Sequence, residues 1–152
     1  MKKFIILFFL LIANQNFAQL NTFTFEEAEI LSIENPKPFV IFIHTDWCKI
    51  CKMMENTTFK NQEILKELNR NFYFISFNAE TKIDINFNKY TFKFKPKGTN
   101  SGVHELAEEL SNQIYPTLTI LNSDYSILMQ IESFVNAKDL LQILQKTNQT
   151  NP

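Results

Sequence analysis

The sequence predicts an α/β fold: a mixed central sheet flanked by helices, with an inserted β-hairpin. Three observations carry this. Phe39-Val40-Ile41-Phe42-Ile43 is an unbroken apolar run of the kind that forms a strand covered on both faces. A helical pattern and a second strand-like run follow it, an order that implies a right-handed parallel crossover. Near the end of the chain come two short strands and an amphipathic helix.

Composition sets the frame for these elements. The chain has 152 residues, 45% of them apolar and 20% charged, which fits one globular domain. Fifteen basic against sixteen acidic side chains give a net charge of −1, so the positive excess that binds phosphate backbones is absent and nucleic acid is not an expected partner. Two Gly and five Pro exclude low-complexity arrays, while sixteen Phe supply bulk for a core.

Met1-Lys2-Lys3, the apolar stretch Phe4 to Ala13, and Ala18 as a small residue before a cut site read as a secretory signal over residues 1–18. The run is shorter than the ~20 residues of a spanning helix, so no membrane span is expected after cleavage. Asn16 fits the usual cleavage pattern poorly, which leaves a retained anchor as the alternative. The mature domain is then 19–152, periplasmic or secreted, where disulfides form and persist.

Within that domain, Phe25 to Asn35 is expected as a helix capped by Thr24, with Phe25, Ala28, Ile30 and Leu31 spaced for burial and Pro36 and Pro38 ending it. The strand Phe39 to Ile43 leads through His44-Thr45-Asp46-Trp47 into helical patterns from Cys48 to Met54 and Asn61 to Leu68. Phe72 to Phe77 reads as the next strand. Residues 83–101 alternate apolar and polar around Asn88-Lys89 and predict an antiparallel hairpin and its loop. Val103 to Leu110 is expected as a helix, Thr117 to Leu121 and Ile127 to Ile131 as strands, and Ala137 to Lys146 as the last helix with a frayed polar tail.

Chemistry concentrates at Trp47-Cys48-Lys49-Ile50-Cys51. A Cys-x-x-Cys pair where a buried strand becomes a helix puts the first sulfur at a helix N-terminus. There, unpaired N–H groups and the dipole favour its thiolate, and Lys49 adds a positive charge. Cys48 is thereby the expected nucleophile, and Cys51, one turn on, the thiol that resolves a mixed disulfide. Two other chemistries stay open for the pair: a static disulfide, and a metal site, with copper(I) suited to soft Cys48, Cys51, Met53 and Met54. His44 is a candidate proton relay or a hydrogen-bonded strand-end histidine. Glu80 is a candidate base or a solvated carboxylate. Trp47 either shields the thiolate and offers a docking surface or simply packs.

The cysteine motif, together with Tyr115-Pro116-Thr117 just before a strand, resembles the thioredoxin superfamily over about Phe25 to Lys146. Asp46-Trp47-Cys48, Lys52 and Thr57-Thr58-Phe59 are similar to the exported thioredoxin-like domains of periplasmic disulfide reductases. The resemblance implies a cis Pro116, with Tyr115 and Pro116 positioning an extended substrate beside Cys48, as in strand addition. It also implies a redox-active Cys48–Cys51 disulfide with no other cofactor, a monomer, and exchange with exported protein thiols and an upstream electron donor, more as a reductase than an oxidant. The other functional classes kept are a copper(I) carrier and a non-catalytic interaction module. The sequence departs from the family at Phe42, where members often carry a buried acid, and in the dipeptide Lys49-Ile50. The span from Cys51 to Pro116 is also longer than in thioredoxin, with the extra length assigned to residues 83–101.

Overall fold

The structure, a computed structural model, describes residues 19–99 and 101–150; the expected signal segment, residues 1–18, lies outside the described residues. Along it run α1 (Phe25–Glu34), β1 (Phe39–His44), α2 (Lys49–Asn56), α3 (Gln62–Asn71), β2 (Tyr73–Asn78), β3 (Ile85–Phe87), β4 (Tyr90–Phe92), β5 (Phe94–Pro96), β6 (Gly102–His104), α4 (Glu105–Leu110), β7 (Thr117–Leu121), β8 (Ile127–Ile131) and α5 (Ala137–Thr150). A 3-10 turn at Thr58–Lys60 joins α2 to α3.

All six residues of β1 are buried, because β1 lies inside a four-stranded sheet of order β2-β1-β7-β8 with helices on both faces. It runs parallel to β2 and antiparallel to β7, which in turn pairs antiparallel with β8. Alternation along β1 splits the core in two. Phe39, Ile41 and Ile43 face α1, α4 and the hairpin; Val40 and Phe42 face α2, α3 and α5, on the side that also holds both cysteines.

Local signals fix the helix starts. Thr24 and Glu27 form a reciprocal capping box at α1, and Asn61 Oδ1 accepts the N–H groups of Glu63 and Ile64 at α3.

The structure corrects the sequence reading in four places. On α1, the buried positions are Phe25, Ala28 and Ser32, while Ile30 and Leu31 are exposed. Apolar residues lie all around this helix, and the inward side is set by Phe25, whose ring meets Phe77 and Phe87 edge-on at centroid distances of 5.1 and 5.0 Å. The hairpin of residues 83–101 is two separate ribbons, β3–β4 and β5–β6. Asn88 and Lys89 both take positive φ in the first, the two-residue turn that suits strand twist. In the second, Gly102 sits so close to Phe94 that a Cβ there would lie 2.3 Å from the ring. Consequently α4 begins at Glu105 rather than Val103, capped by the His104 ring, whose Nδ1 accepts the Leu106 N–H at 3.3 Å. Finally, α5 runs on to Thr150 instead of fraying after Lys146.

Candidate active site

The chain leaves the buried end of β1 and turns at Thr45, whose carbonyl accepts the Cys48 N–H at 3.2 Å. Cys48 is the N-cap of α2. Its Sγ accepts the Cys51 N–H at 3.1 Å, and its carbonyl accepts the Lys52 N–H. The sulfur thus does the work of a capping oxygen, receiving one of the otherwise unpaired donors at the positive end of the helix. Cys48 and Cys51 are joined as a disulfide, with Cα atoms 5.2 Å apart. Cys51 is fully buried, whereas Cys48 retains 5% exposure.

The aromatic side chains named from the sequence meet one another, and Tyr115 reaches the core that holds the cysteines. The Tyr115–Pro116 peptide bond is cis, Pro116 is buried, and the Tyr115 ring packs against the core that holds the cysteines. Trp47 is largely exposed and meets Tyr115 edge-on at 6.2 Å. Its indole N–H donates to Glu80 Oε1 at 3.0 Å. Glu80 therefore anchors the tryptophan. Burial, with the nearby Glu80 and Glu108 carboxylates, pushes the Tyr115 phenol above its ordinary range.

His44 lies on the same face of β1 as Val40 and Phe42 and is 9% exposed. Its imidazole stacks on Phe42 at 5.3 Å, and Nε2 pairs with Ser76 Oγ at 3.1 Å. Among the described residues Nδ1 has no hydrogen-bond partner, nor does the adjacent buried Thr45 hydroxyl. Two orphaned buried polar atoms on consecutive residues, directly before the cysteine turn, are unusual. Burial holds the imidazole below its ordinary pKa, outweighing the Glu55 carboxylate, which pulls the other way with Asp46, while Lys52 adds to the lowering. Glu55 and Ser76 line one groove of about 280 Å³ together with Phe42, so His44 reaches that groove through Ser76.

Lys49 is the first residue of α2 and is exposed. Met54 is buried in the core that holds both cysteines, whereas Met53 is exposed, so the two thioethers do not face one site together. Among the described residues no group of three or more His, Cys, Asp or Glu converges as a metal site, and no helix is long and apolar enough to cross a membrane. Sequence reasoning overlooked Thr45 and the Asp46–Asn78 side-chain hydrogen bond of 3.0 Å, which ties the cysteine turn to the end of β2. Asn78 and Glu80 two residues apart after a strand were the available signal.

A family model described as a thioredoxin-like domain matches residues 25–148. Among solved structures, the DsbH oxidoreductase superposes with a TM-score of 0.59 at 17% identity, covering 89% of this chain and 88% of that one. A thioredoxin from Thermus thermophilus gives 0.62 at 16% identity, with 85% and 87% covered. The oxidised DsbD C-terminal domain of Neisseria meningitidis gives 0.54 at 21%, with 83% and 98% covered. At these identities the likeness is one of fold. No curated protein matches the sequence.

Proposed function

This chain belongs to the thioredoxin-like domain family, and on that premise we propose that it is a thiol–disulfide oxidoreductase acting on exported proteins, working as a reductase. The observation that carries the reading is the Cys48 sulfur at the cap of α2, accepting the Cys51 N–H, with the second sulfur sealed beneath it.

In the reducing direction the Cys48 thiolate attacks one sulfur of a partner's disulfide. The partner's S–S bond breaks, a Cys48–partner mixed disulfide forms, and the leaving thiolate takes a proton from solvent. Cys51 then loses its proton and attacks Cys48 Sγ; the mixed disulfide breaks, the Cys48–Cys51 disulfide forms, and the second partner thiolate departs and is protonated. Two electrons and two protons pass to the partner, and an upstream dithiol returns the chain to its reduced state. The cysteines are the whole redox apparatus; no organic cofactor takes part. Tyr115 and Pro116 present backbone beside Cys48 on which an extended partner segment pairs, and Trp47, held by Glu80, forms the flat wall of that site. His44 receives the Cys51 proton and passes it towards Ser76. Lys49 adds positive charge beside the thiolate.

The reading is tested by trapping. Cys51→Ser, expressed with its leader, should accumulate covalent mixed disulfides with exported proteins that vanish on reduction and are absent from Cys48→Ser/Cys51→Ser. An empty trap under conditions where the protein is exported and folded would overturn it.

A further inference from the structure

Tyr115 and Pro116 stand at the end of a loop, residues 111–115, that links α4 to β7. Within it Gln113 has a φ of 58°, a left-handed conformation that a residue with a side chain keeps only where its surroundings hold it. Its neighbours are held by the body of the domain. The Ser111 hydroxyl donates to the Ala107 carbonyl at 2.7 Å and accepts the Gln113 N–H at 3.3 Å; the Asn112 amide donates to the Glu132 carboxylate; the Ile114 carbonyl accepts the Thr117 hydroxyl at 2.6 Å. The Gln113 side chain is held from the β5–β6 ribbon instead: its Oε1 accepts the Lys97 ammonium at 3.2 Å, and Lys97 lies at the ribbon tip, where its N–H donates to the Ser101 carbonyl at 2.7 Å. The exchange chemistry gives that ribbon no role.

The ribbon is fastened along α4. The Glu105 N–H donates to the Lys93 carbonyl at 2.9 Å, and the Glu105 carboxylate accepts the Lys93 N–H at 2.8 Å. Lys95 and Lys97, two residues apart and so on one side of an extended chain, both reach Glu108, at 3.1 and 3.0 Å, and Lys95 also meets Glu105 at 3.7 Å. Glu105 and Glu108 face them from neighbouring turns of the helix. Lys97, with Lys95, holds the Glu108 carboxyl below the usual carboxylate range. After burial, that same carboxylate is among the charges that push the Tyr115 phenol up, so the network lies within electrostatic reach of Tyr115. One exposed ion pair contributes little, but contacts that share Glu108 and Lys97 fix one another's geometry.

We propose that the β5–β6 ribbon is a clamp on the substrate-binding loop, with Lys97 as its positioning residue: bonded to Glu108 on one side and to Gln113 on the other, its ammonium fixes the backbone that ends at Tyr115, on which an extended partner segment pairs. The proposal rests on the disulfide-exchange reading and adds how the chain binds its protein partners. A loop already in its bound shape loses less freedom when the partner arrives, so the clamp acts on the binding of extended partners. It does nothing for a small disulfide that pairs with no backbone.

The test gives the reduced chain without its leader two substrates: a peptide whose disulfide lies within an extended segment, and the small neutral hydroxyethyl disulfide. Lys97→Met, at a side chain that is 53% exposed, should raise KM for the peptide roughly two- to fivefold, the scale of one exposed charged contact, with kcat unchanged and the small disulfide reduced at the wild-type rate. Lys97→Arg should restore the peptide KM. Gln113→Leu should raise the peptide KM as well, and Lys97→Met/Gln113→Leu should be no worse than Lys97→Met alone, since the two changes remove one shared contact. Lys93→Met takes the same charge from a lysine that meets Asp84 instead and should leave the peptide KM as it is. A wild-type KM in Lys97→Met, equal losses on both substrates, or additive losses in the double variant would overturn the clamp. The wild-type chain separates the two failures. If it reduces both disulfides and Lys97→Met behaves like it, only the clamp is wrong; if it reduces the small one alone, no pairing exists for a clamp to serve; if it reduces neither, the exchange reading itself falls.

Discussion

The Phe42 ring lies stacked on the His44 imidazole, centroids 5.3 Å apart, at the end of the strand that delivers the cysteine motif. Phe42 stands where the family resemblance led one to expect a buried acid, and its ring also meets Phe59 edge-on at 4.9 Å. An apolar ring cannot take a proton. The titratable group on that face of β1 is His44, pushed below its ordinary pKa by burial, with one ring nitrogen on Ser76 and the other unpartnered among the described residues.

If His44 moves the Cys51 proton, His44→Gln should slow the release of a Cys48 mixed disulfide by about a hundredfold while leaving its formation close to wild type. Rapid-mixing kinetics of the two steps separate this from a packing defect, which would not discriminate between them. In the wild type the release step should weaken as pH falls through the lowered His44 pKa, and that inflection should be absent in the variant.

Glu80→Leu should free the Trp47 indole. The chain has one tryptophan, so its fluorescence reports the change directly. With the indole N–H left to water at an exposed site, stability should drop by no more than about 1 kcal/mol. KM for peptide disulfides should rise severalfold with kcat little changed, because the wall of the binding site is no longer held.

Both histidines are held below their ordinary value of 6.5, chiefly by burial. The unfolded chain therefore takes up protons more readily than the native one as pH falls below about 6.5, and folding stability is lost across the window between that value and the native pKa values. It is fully present above. Urea midpoints at pH 7.5 and pH 5 should show the loss, and His104→Asn should reduce it, since an asparagine can still cap α4 without titrating.

Tyr125 and Glu29 should prove to hold the first hairpin in place. Glu29 Oε1 accepts both the Tyr125 hydroxyl at 2.8 Å and the Asn88 N–H at 2.9 Å, while Glu26 accepts the Asn86 N–H. Burial, with Glu29 beside it, pushes the Tyr125 phenol up to about 12. Glu29→Gln should raise amide exchange at Asn88 and cost about 1–2 kcal/mol, while exchange in β1 stays at the global rate.

Much of the site was legible because its signals are local. A cysteine at a strand–helix junction, a second one turn later, a Tyr-Pro before a strand and a histidine two residues after Phe42 need only chain periodicity to be placed. Residues 83–104 were misread because alternation identifies a strand without naming its partner. Whether Phe94 continues β4 or pairs with Val103's neighbours depends on Gly102 fitting under the Phe94 ring and on Lys93 and Glu105 exchanging backbone hydrogen bonds with each other's main chain and carboxylate.

The amino-acid order by itself determined the α/β class, the central strand Phe39 to Ile43 and the Cys48–Cys51 pair at the start of a helix, since strand burial and helix capping are written in neighbouring residues. Only tertiary structure decided that Glu80 holds Trp47 and that His44 reaches Ser76. These contacts join residues 32 or more positions apart in pairs such as Trp47–Glu80 and His44–Ser76. No local propensity carries such pairings; they exist because β1, β2 and the helices above them pack at fixed register, and that register is a property of the closed core.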